Sequence, residues 1–410
     1  MSARYAAYKL IEKVETGGYS NIALGGMFSK SDSLSDRDKA FAARLFYGVT
    51  ERKLTLEHII GAYVSKPLQK LDRQVRITLM MGVYQIMYMD NVPDSAAVNE
   101  SVSLVKKLGK ASASGMVNAV LRSIIRDGKK IPPVKGDKYD KMAVEYSCPA
   151  ELIRRICKGY GEENTVSLLE ASLLPSVTVL RTNVLKTSSE ELIASLKSRG
   201  ISAQASEFEE NAVICDDLRD VERDPDFCAA PGGKTFTMAE MMGDEGRIFA
   251  CELHEKRTGL IVKGAERLGI SCIEAVTNDA RVYNEKLPMA DRVLCDVPCS
   301  GYGVIRGKPE IRYKPLSEAQ RLPEIQLDIL RTACRYVKDG GLLVYSTCTV
   351  NIEENECVIE KFLAENSDFH GEEFPEDMGD FFRGKFMTAI FSKQFGGDGF
   401  FICRMRKGKK

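Results

Sequence analysis

Histidine is scarce in this 410-residue chain: there are three, His58, His254 and His370, far apart in sequence. No Cys-x-x-Cys pair occurs either, so zinc sites and histidine-based acid–base catalysis have little to be built from. No apolar run approaches the length a bilayer span needs. The N-terminal stretch MSARYAAYKLIEKVETGG carries charges inside its apolar part and no small-residue cleavage pattern, unlike a secretory signal. Net charge is absent too, with 58 Lys+Arg against 58 Asp+Glu. What is present is an ordinary globular composition, 44% hydrophobic and 28% charged, at a length that predicts two or three domains. Twelve cysteines without a regular framework fit free thiols in a reducing cytosol. Most, including Cys157, Cys272 and Cys334, read as small buried hydrophobes.

The neutral total hides an asymmetry. Residues 1–130 carry 20 Lys+Arg against 12 Asp+Glu, whereas residues 131–410 carry 38 against 46. A basic module on an acidic remainder points to a polyanion held at the N-terminal end, although solvated basic helix faces would give the same count. Residues 1–130 read as helix after helix, with apolar residues three and four apart in AAYKLIEKV, DKAFAARLFYGV and DRQVRITLMMGVYQIMYM. Ser35 and Asp94 mark helix starts, and Asp127-Gly128 a closing turn. Residues 140–215 predict a small α+β unit: ELIRRICKGYG, ENTVSLLEASLL and SEELIASLKSRG are helical, SVTVLRTNV strand-like. From 216 to 410 the short β-rich runs RIFACEL, CIEAVTND, DRVLCDV, GLLVYST and GFFICRMR are separated by helices, which predicts a Rossmann-like α/β domain with a mostly parallel sheet.

Four motifs in that last domain carry chemistry. Cys228-Ala229-Ala230-Pro231-Gly232-Gly233-Lys234 runs into a helix, and small residues at such a turn let a ligand approach the backbone. The segment is no nucleoside-triphosphate loop, because Cys228 stands where that motif needs glycine. Glu252 and Asp279 each follow a strand, where carboxylates can hold ribose hydroxyls and reach an adenine amino group. Asp296-Val297-Pro298-Cys299 and Ser346-Thr347-Cys348 leave two further strands.

Two cysteines at strand ends beside a nucleoside pocket are what methylation of cytosine at carbon 5 requires. That carbon is not nucleophilic until a thiolate adds to carbon 6, and a second thiol can assist release from the adduct. Asp296 is the carboxyl group suited to the charge that develops at ring nitrogen 3. Asn351-Ile352-Glu353-Glu354 reads as a helix cap close to Cys348. A helix N-terminus there would favour the thiolate, and Glu353 and Glu354 would oppose it.

CAAPGGKT, DVPCSGYGVIRGKPEIRY, LVYSTCTVNIEENE and DGFFICRMRK, in this order, resemble the RNA (cytosine-5)-methyltransferases of the NOL1/NOP2/Sun type, in their bacterial RsmB (Sun) branch. Residues 1–130 resemble the NusB-like RNA-binding domain of that branch, and Tyr160-Gly161-Glu162 and Leu180-Arg181-Thr182-Asn183 resemble its middle segment. The resemblance implies S-adenosyl-L-methionine as methyl donor, held by Cys228 through Lys234 and by Glu252, Asp279 and Asp296. It implies Cys348 as the nucleophile and Cys299 as the helper in release. It implies 16S ribosomal RNA, unassembled or partly assembled, as substrate, with the target base unstacked. No metal, DNA or membrane partner is expected, and a cytoplasmic monomer is.

One segment departs from the family. A helix and a buried strand should precede the Gly-rich loop, but DDLRDVERDPDF stands there, with Pro225 and a charge density that a central strand does not tolerate. VICD at 213–216 is too short to stand in. Either the first strand of the methyltransferase domain is lost through an internal deletion or a sequence error, or it is supplied from elsewhere; a real deletion is expected to weaken donor binding. Two alternatives follow: the same chemistry on transfer RNA, or a catalytically impaired RNA-binding assembly factor. Methylation of an exocyclic amine is disfavoured, since it needs no thiol.

Overall fold

The computed structural model describes residues 1–17, 20–28, 34–175, 178–207, 209–215 and 232–409. Among the described residues the N-terminal unit holds the α-helices α1 (Ala3–Glu15), α2 (Ser20–Phe28), α3 (Asp36–Glu51), α4 (Lys53–Gly61), α5 (Arg73–Tyr88), α6 (Asp94–Lys107) and α7 (Ser114–Arg126). Ser35 caps α3 by accepting from the Asp38 amide, which satisfies one of the first-turn donors that a helix leaves unpaired. Helix α5 is the central one, burying Val75, Ile77, Leu79, Met80, Met81, Val83 and Ile86 on several faces. Apolar side chains all round are what a core helix needs. Helix α7 ends at Arg126, and Gly128 takes φ +80° in the turn that follows, a conformation glycine adopts without strain.

The middle segment holds α8 (Lys138–Glu145), α9 (Ala150–Ala171), β1 (Thr178–Arg181), α10 (Ser189–Ser198), β2 (Ala203–Ala205) and β3 (Ala212–Cys215). Helix α9 is kinked at Gly161, φ +82°. The strands form an antiparallel sheet in the order β1-β3-β2. The VIC of VICD therefore belongs to this sheet and not to the next domain.

The C-terminal part contains α11 (Gly233–Met241), β4 (Ile248–Glu252), α12 (Glu255–Leu268), β5 (Ile273–Thr277), β6 (Ala290–Asp296), α13 (Leu316–Ala319), α14 (Leu322–Ala333), β7 (Val337–Thr347), α15 (Glu356–Glu365), β8 (Phe369–Gly371), β9 (Met387–Ile390), α16 (Ser392–Phe395) and β10 (Phe400–Lys407). The sheet is mixed. Its pairs nearest the motifs, β4–β5 and β6–β7, are parallel, whereas β10 runs antiparallel to β7, β8 and β9. Among the described residues the strands fall into two groups, β4-β5 and β6-β7-β10-β8 with β9 on β10. The stretch expected to lack a strand, 216–227, lies outside the described residues. The larger group packs Leu343, Tyr345, Phe401, Cys403 and Met405 against Leu330 and Phe362. No helix among the described residues is long and apolar enough to cross a membrane. Cys272 and Cys334 are buried as expected, but Cys157 is only half-buried.

A segment between the cysteine motifs, Pro309–Tyr313, forms a 3₁₀ turn that seats against the N-terminal helices. Glu310 is buried and accepts from the Ser20 amide at 3.0 Å and the Ser20 hydroxyl at 3.1 Å. Arg312 has no exposed surface and donates to the carbonyls of Tyr146 (3.2 Å) and Ile305 (3.0 Å). The Tyr313 hydroxyl lies within 3.0 Å of the Glu51 carbonyl and 2.9 Å of the Ser147 carbonyl.

Candidate active site

Strands β6 and β7 run parallel with Asp296 opposite Ser346, so the two cysteine loops leave the sheet at the same end. The Cys299 and Cys348 sulfurs are 3.3 Å apart. Both residues are half-buried. The Gly303 amide donates to the Cys348 carbonyl at 3.1 Å, and the Gly399 amide to the Gly303 carbonyl at 2.9 Å. A Cβ on Gly303 would stand 1.9 Å from the Gly399 oxygen, so this backbone crossing requires glycine. The thiols differ in acidity. A hydrogen bond from Cys299 draws Cys348 down from the ordinary thiol value to about 7; burial and Asp296 oppose this, and Lys308 and Lys234 reinforce it. Cys299 is pushed up by the same bond first, and then by burial and by the charge of Glu354. A thiolate at Cys348 facing a thiol at Cys299 is the arrangement these directions describe.

Asp296 sits beside the pair. Its carboxylate accepts from the Lys234 ammonium at 2.9 Å and from the Ser346 hydroxyl at 3.0 Å. Asp296 and Lys234 side chains are each about half exposed, at 45% and 48%, which leaves the carboxylate open to a ligand. Lys234 comes from the first turn of α11, so this contact ties the Gly-rich loop's helix to the end of β6.

Glu252 and Asp279 lie at the carboxyl ends of the adjacent strands β4 and β5. Glu252 pairs in register with Thr277 and its carboxylate accepts from the His254 amide at 3.2 Å. Asp279 is held by Arg281 through bonds of 2.7 and 3.1 Å, which bring it down to about 2. Gly232 takes φ +114° at the start of α11, where a Cβ would press to 2.9 Å from the Phe236 ring. Two carboxylates at neighbouring strand ends and a glycine entry to a helix are a donor set that fits an adenosine with its ribose hydroxyls. Cys228, Ala229, Ala230 and Pro231 lie outside the described residues. Among the described residues, no group of His, Cys, Asp and Glu is arranged to hold a metal ion.

The structure thus brings Lys234, Asp296, Cys299 and Cys348 together and places Glu252 and Asp279 side by side on the other strand group. The cap read at Asn351 is corrected: α15 begins at Glu356, with Asn355 at its N-cap position. Residues 351–354 form a turn instead, in which the Asn351 amide group donates to Glu354 at 2.8 Å. Glu354 therefore points into the protein, which its place in an acidic run conceals. Ser346 and Lys308 were also missed; alternation along β7 marks Ser346, whereas nothing local marks Lys308.

Family models match the chain throughout: the NusB family over residues 1–126, an RsmF/B-like ferredoxin-like domain over 148–222, and the 16S rRNA methyltransferase RsmB/F over 213–406. The protein named "Probable ribosomal RNA small subunit methyltransferase B" in Bacillus subtilis (strain 168) is 36% identical over 444 residues, covering 99% of both chains. The chain belongs to the 16S rRNA methyltransferase RsmB/F family. It is a ribosomal RNA methyltransferase that uses S-adenosylmethionine. A protein of the same name in Synechocystis sp. (strain ATCC 27184 / PCC 6803 / Kazusa) is 32% identical over 447 residues, covering 99% of this chain and all of its own. The crystal structure of PH0851 shares the fold, with a TM-score of 0.81 over 99% of this chain and 98% of its own at 23% identity. The alignment to the Bacillus family member runs over 444 positions against a chain of 410, so at least 34 of those positions have no counterpart in this RsmB/F chain.

Proposed function

We propose that this chain methylates carbon 5 of a cytosine in unassembled or partly assembled 16S ribosomal RNA, in the cytosol, through a covalent adduct to Cys348. The observation that carries this reading is the pair of thiols 3.3 Å apart beside Asp296, with Cys348 the more acidic of the two. The Cys348 thiolate adds to carbon 6 of the base, and the ring electrons move to make carbon 5 nucleophilic. Asp296, held by Lys234 and Ser346, is assigned to ring nitrogen 3, which takes a proton from solvent as the thiolate adds, donates that N–H to the carboxylate, and gives the proton back on release. S-adenosylmethionine, when bound over Glu252, Asp279 and the Cys228–Lys234 loop, supplies an electrophilic methyl group. Once Cys348 is bonded to carbon it no longer accepts the Cys299 proton. Cys299 can then release that proton to solvent and take the one on carbon 5, after which the bond from Cys348 to carbon 6 breaks and thiolate returns. Residues 1–130, 140–215 and 216–410 are assigned respectively to RNA docking, RNA recognition and methyl transfer.

The test is trapping. Cys299→Ala should accumulate a protein–RNA adduct on 16S transcript, and Cys348→Ala should form none; the reverse pattern would exchange the two roles. Bisulfite mapping of ribosomal RNA from cells with and without the gene should show one 5-methylcytosine lost, and an unchanged map would remove the assignment to carbon 5.

A second reading, an RNA-binding assembly factor with impaired donor binding, is favoured by the shortfall of at least 34 positions against the Bacillus relative. We assign that shortfall to the segment before Cys228. Calorimetric titration with S-adenosylmethionine decides: affinity equal to that of the Bacillus protein would end this reading.

A further inference from the structure

The Glu354 carboxylate is fully buried and has no part in the chemistry above. Burying a charge carries a large desolvation penalty unless hydrogen-bond donors replace the lost water, and here four converge on it. The Ser300 amide (2.9 Å), the Ser300 hydroxyl (2.5 Å), the Asn351 side-chain amide (2.8 Å) and the Gln326 side-chain amide (3.0 Å) all donate to its two oxygens. Gln326 also donates to the Pro298 carbonyl at 2.9 Å. The residues immediately before and after Cys299 are therefore both held, one through Gln326 and the other by Glu354 itself. Glu354 lies six residues past Cys348, and its own carbonyl accepts from the Tyr345 hydroxyl at 2.5 Å, which fixes it to β7. A second tie, Ser300 hydroxyl to Thr349 hydroxyl at 2.7 Å, joins the same two loops.

We infer that Glu354 is a positioning residue for product release, clamping the Cys299 loop to the strand that carries Cys348. The inference rests on the two-cysteine reading above and adds a component to it. Its asymmetry makes it specific. Cys348 follows β7 directly and is tied to Gly303 through its carbonyl, independently of the Glu354 side chain. Cys299 sits on a loop in which Gln326 holds Pro298 and Glu354 holds Ser300 through two donors, with Thr349 as a further contact to Ser300. Loss of the carboxylate should therefore spare the first chemical step and impair the last. Its negative charge beside Cys299 also favours proton uptake by that thiol, in the same direction.

The experiment compares E354Q, S300A, C299A and C348A of the full chain on 16S transcript with S-adenosylmethionine, after heat unfolding has shown which variants are folded. In E354Q one donor to the carboxylate must now face an NH₂ group. Adduct formation in E354Q should stay within about 3-fold of the parent, while multiple turnover falls by about 10- to 100-fold, the loss expected for a hydrogen bond to a charged group. Adduct should accumulate as it does in C299A. S300A, which keeps the backbone donor, should show the same pattern more weakly and covers the case in which E354Q fails to fold. Two results would overturn the inference: parent-like turnover without adduct in folded E354Q, or equal loss of adduct formation and turnover in folded E354Q and S300A. If C299A itself forms no adduct, the two-cysteine reading falls first and this inference falls with it.

Discussion

The two strand groups of the methyltransferase domain are unlike in construction. The cysteine group, β6-β7-β10-β8, encloses a core of Leu343, Tyr345, Phe362, Phe401, Cys403 and Met405, each with no exposed surface or nearly none. The donor group, β4-β5, has a smaller core around Phe236, Ala239 and Leu268, and its helices leave Met241 and Leu260 exposed, as is Leu253 in the turn after β4. Along β5 no residue is fully buried, and along β4 only Ala250 is. Among the described residues, Cys348, Cys299 and Glu354 are thus held by a closely packed framework, while Glu252 and Asp279, proposed for the methyl donor, stand on a thinner one. The proposed adduct chemistry and methyl supply can therefore be tested separately.

The largest effect should come from Cys348→Ala, which removes adduct and methylation together, with a rate loss on the order of a thousandfold or more. Methylation that survives in this variant would break the comparison at its strong end. Next, Phe401→Ala should destabilise the cysteine group by about 3–5 kcal/mol, read by denaturant unfolding. Ile261→Ala on α12, in the thinner core, should lose about 2 kcal/mol, at the low end for such truncations. Equal losses would mean that the two groups are equally well packed. Grafting the Bacillus segment that precedes the Gly-rich loop should tighten S-adenosylmethionine binding by about tenfold or more, equivalent to roughly 1.4 kcal/mol, in calorimetry. An unchanged affinity would show that the donor group needs no further strand.

A smaller effect concerns pH. In the proposed reaction Cys348 acts as the thiolate, and its hydrogen bond with Cys299 brings it down to about 7. Single-turnover adduct formation should therefore rise with pH with its midpoint near 7, not near the ordinary thiol value. Lys308→Met should move that break upward, since the ammonium helps to stabilise the thiolate. Smallest of all, Leu260→Lys on the exposed side of α12 should change stability by no more than about 0.5 kcal/mol.

Much of this contrast is legible in sequence, for physical reasons. The strand-end cysteines and Asp296 follow hydrophobic runs whose β character is local, so their shared edge can be read without coordinates. Helix caps such as Ser35 are equally local. Other features are not. The antiparallel placement of β8, β9 and β10 depends on long-range pairing, and no periodicity encodes strand direction. Glu310 meets Ser20 from 290 residues away, and nothing near either residue announces it. Glu354 reads in sequence as one acid of the run Glu353, Glu354 and Glu356, and only the converging donors of Ser300, Gln326 and Asn351 distinguish it.

Strand β10 follows in sequence every element with which it pairs, yet it lies inside its sheet, between β7 and β8. During synthesis the cysteine framework therefore stays open along β7 until Phe400–Lys407 has left the ribosome, because no earlier strand can occupy that position. The N-terminal helices have local contacts and can fold long before. A nascent chain would then be able to hold RNA before it can react with it, and fragments ending upstream of Phe400 would bind without ever closing the sheet around Cys348.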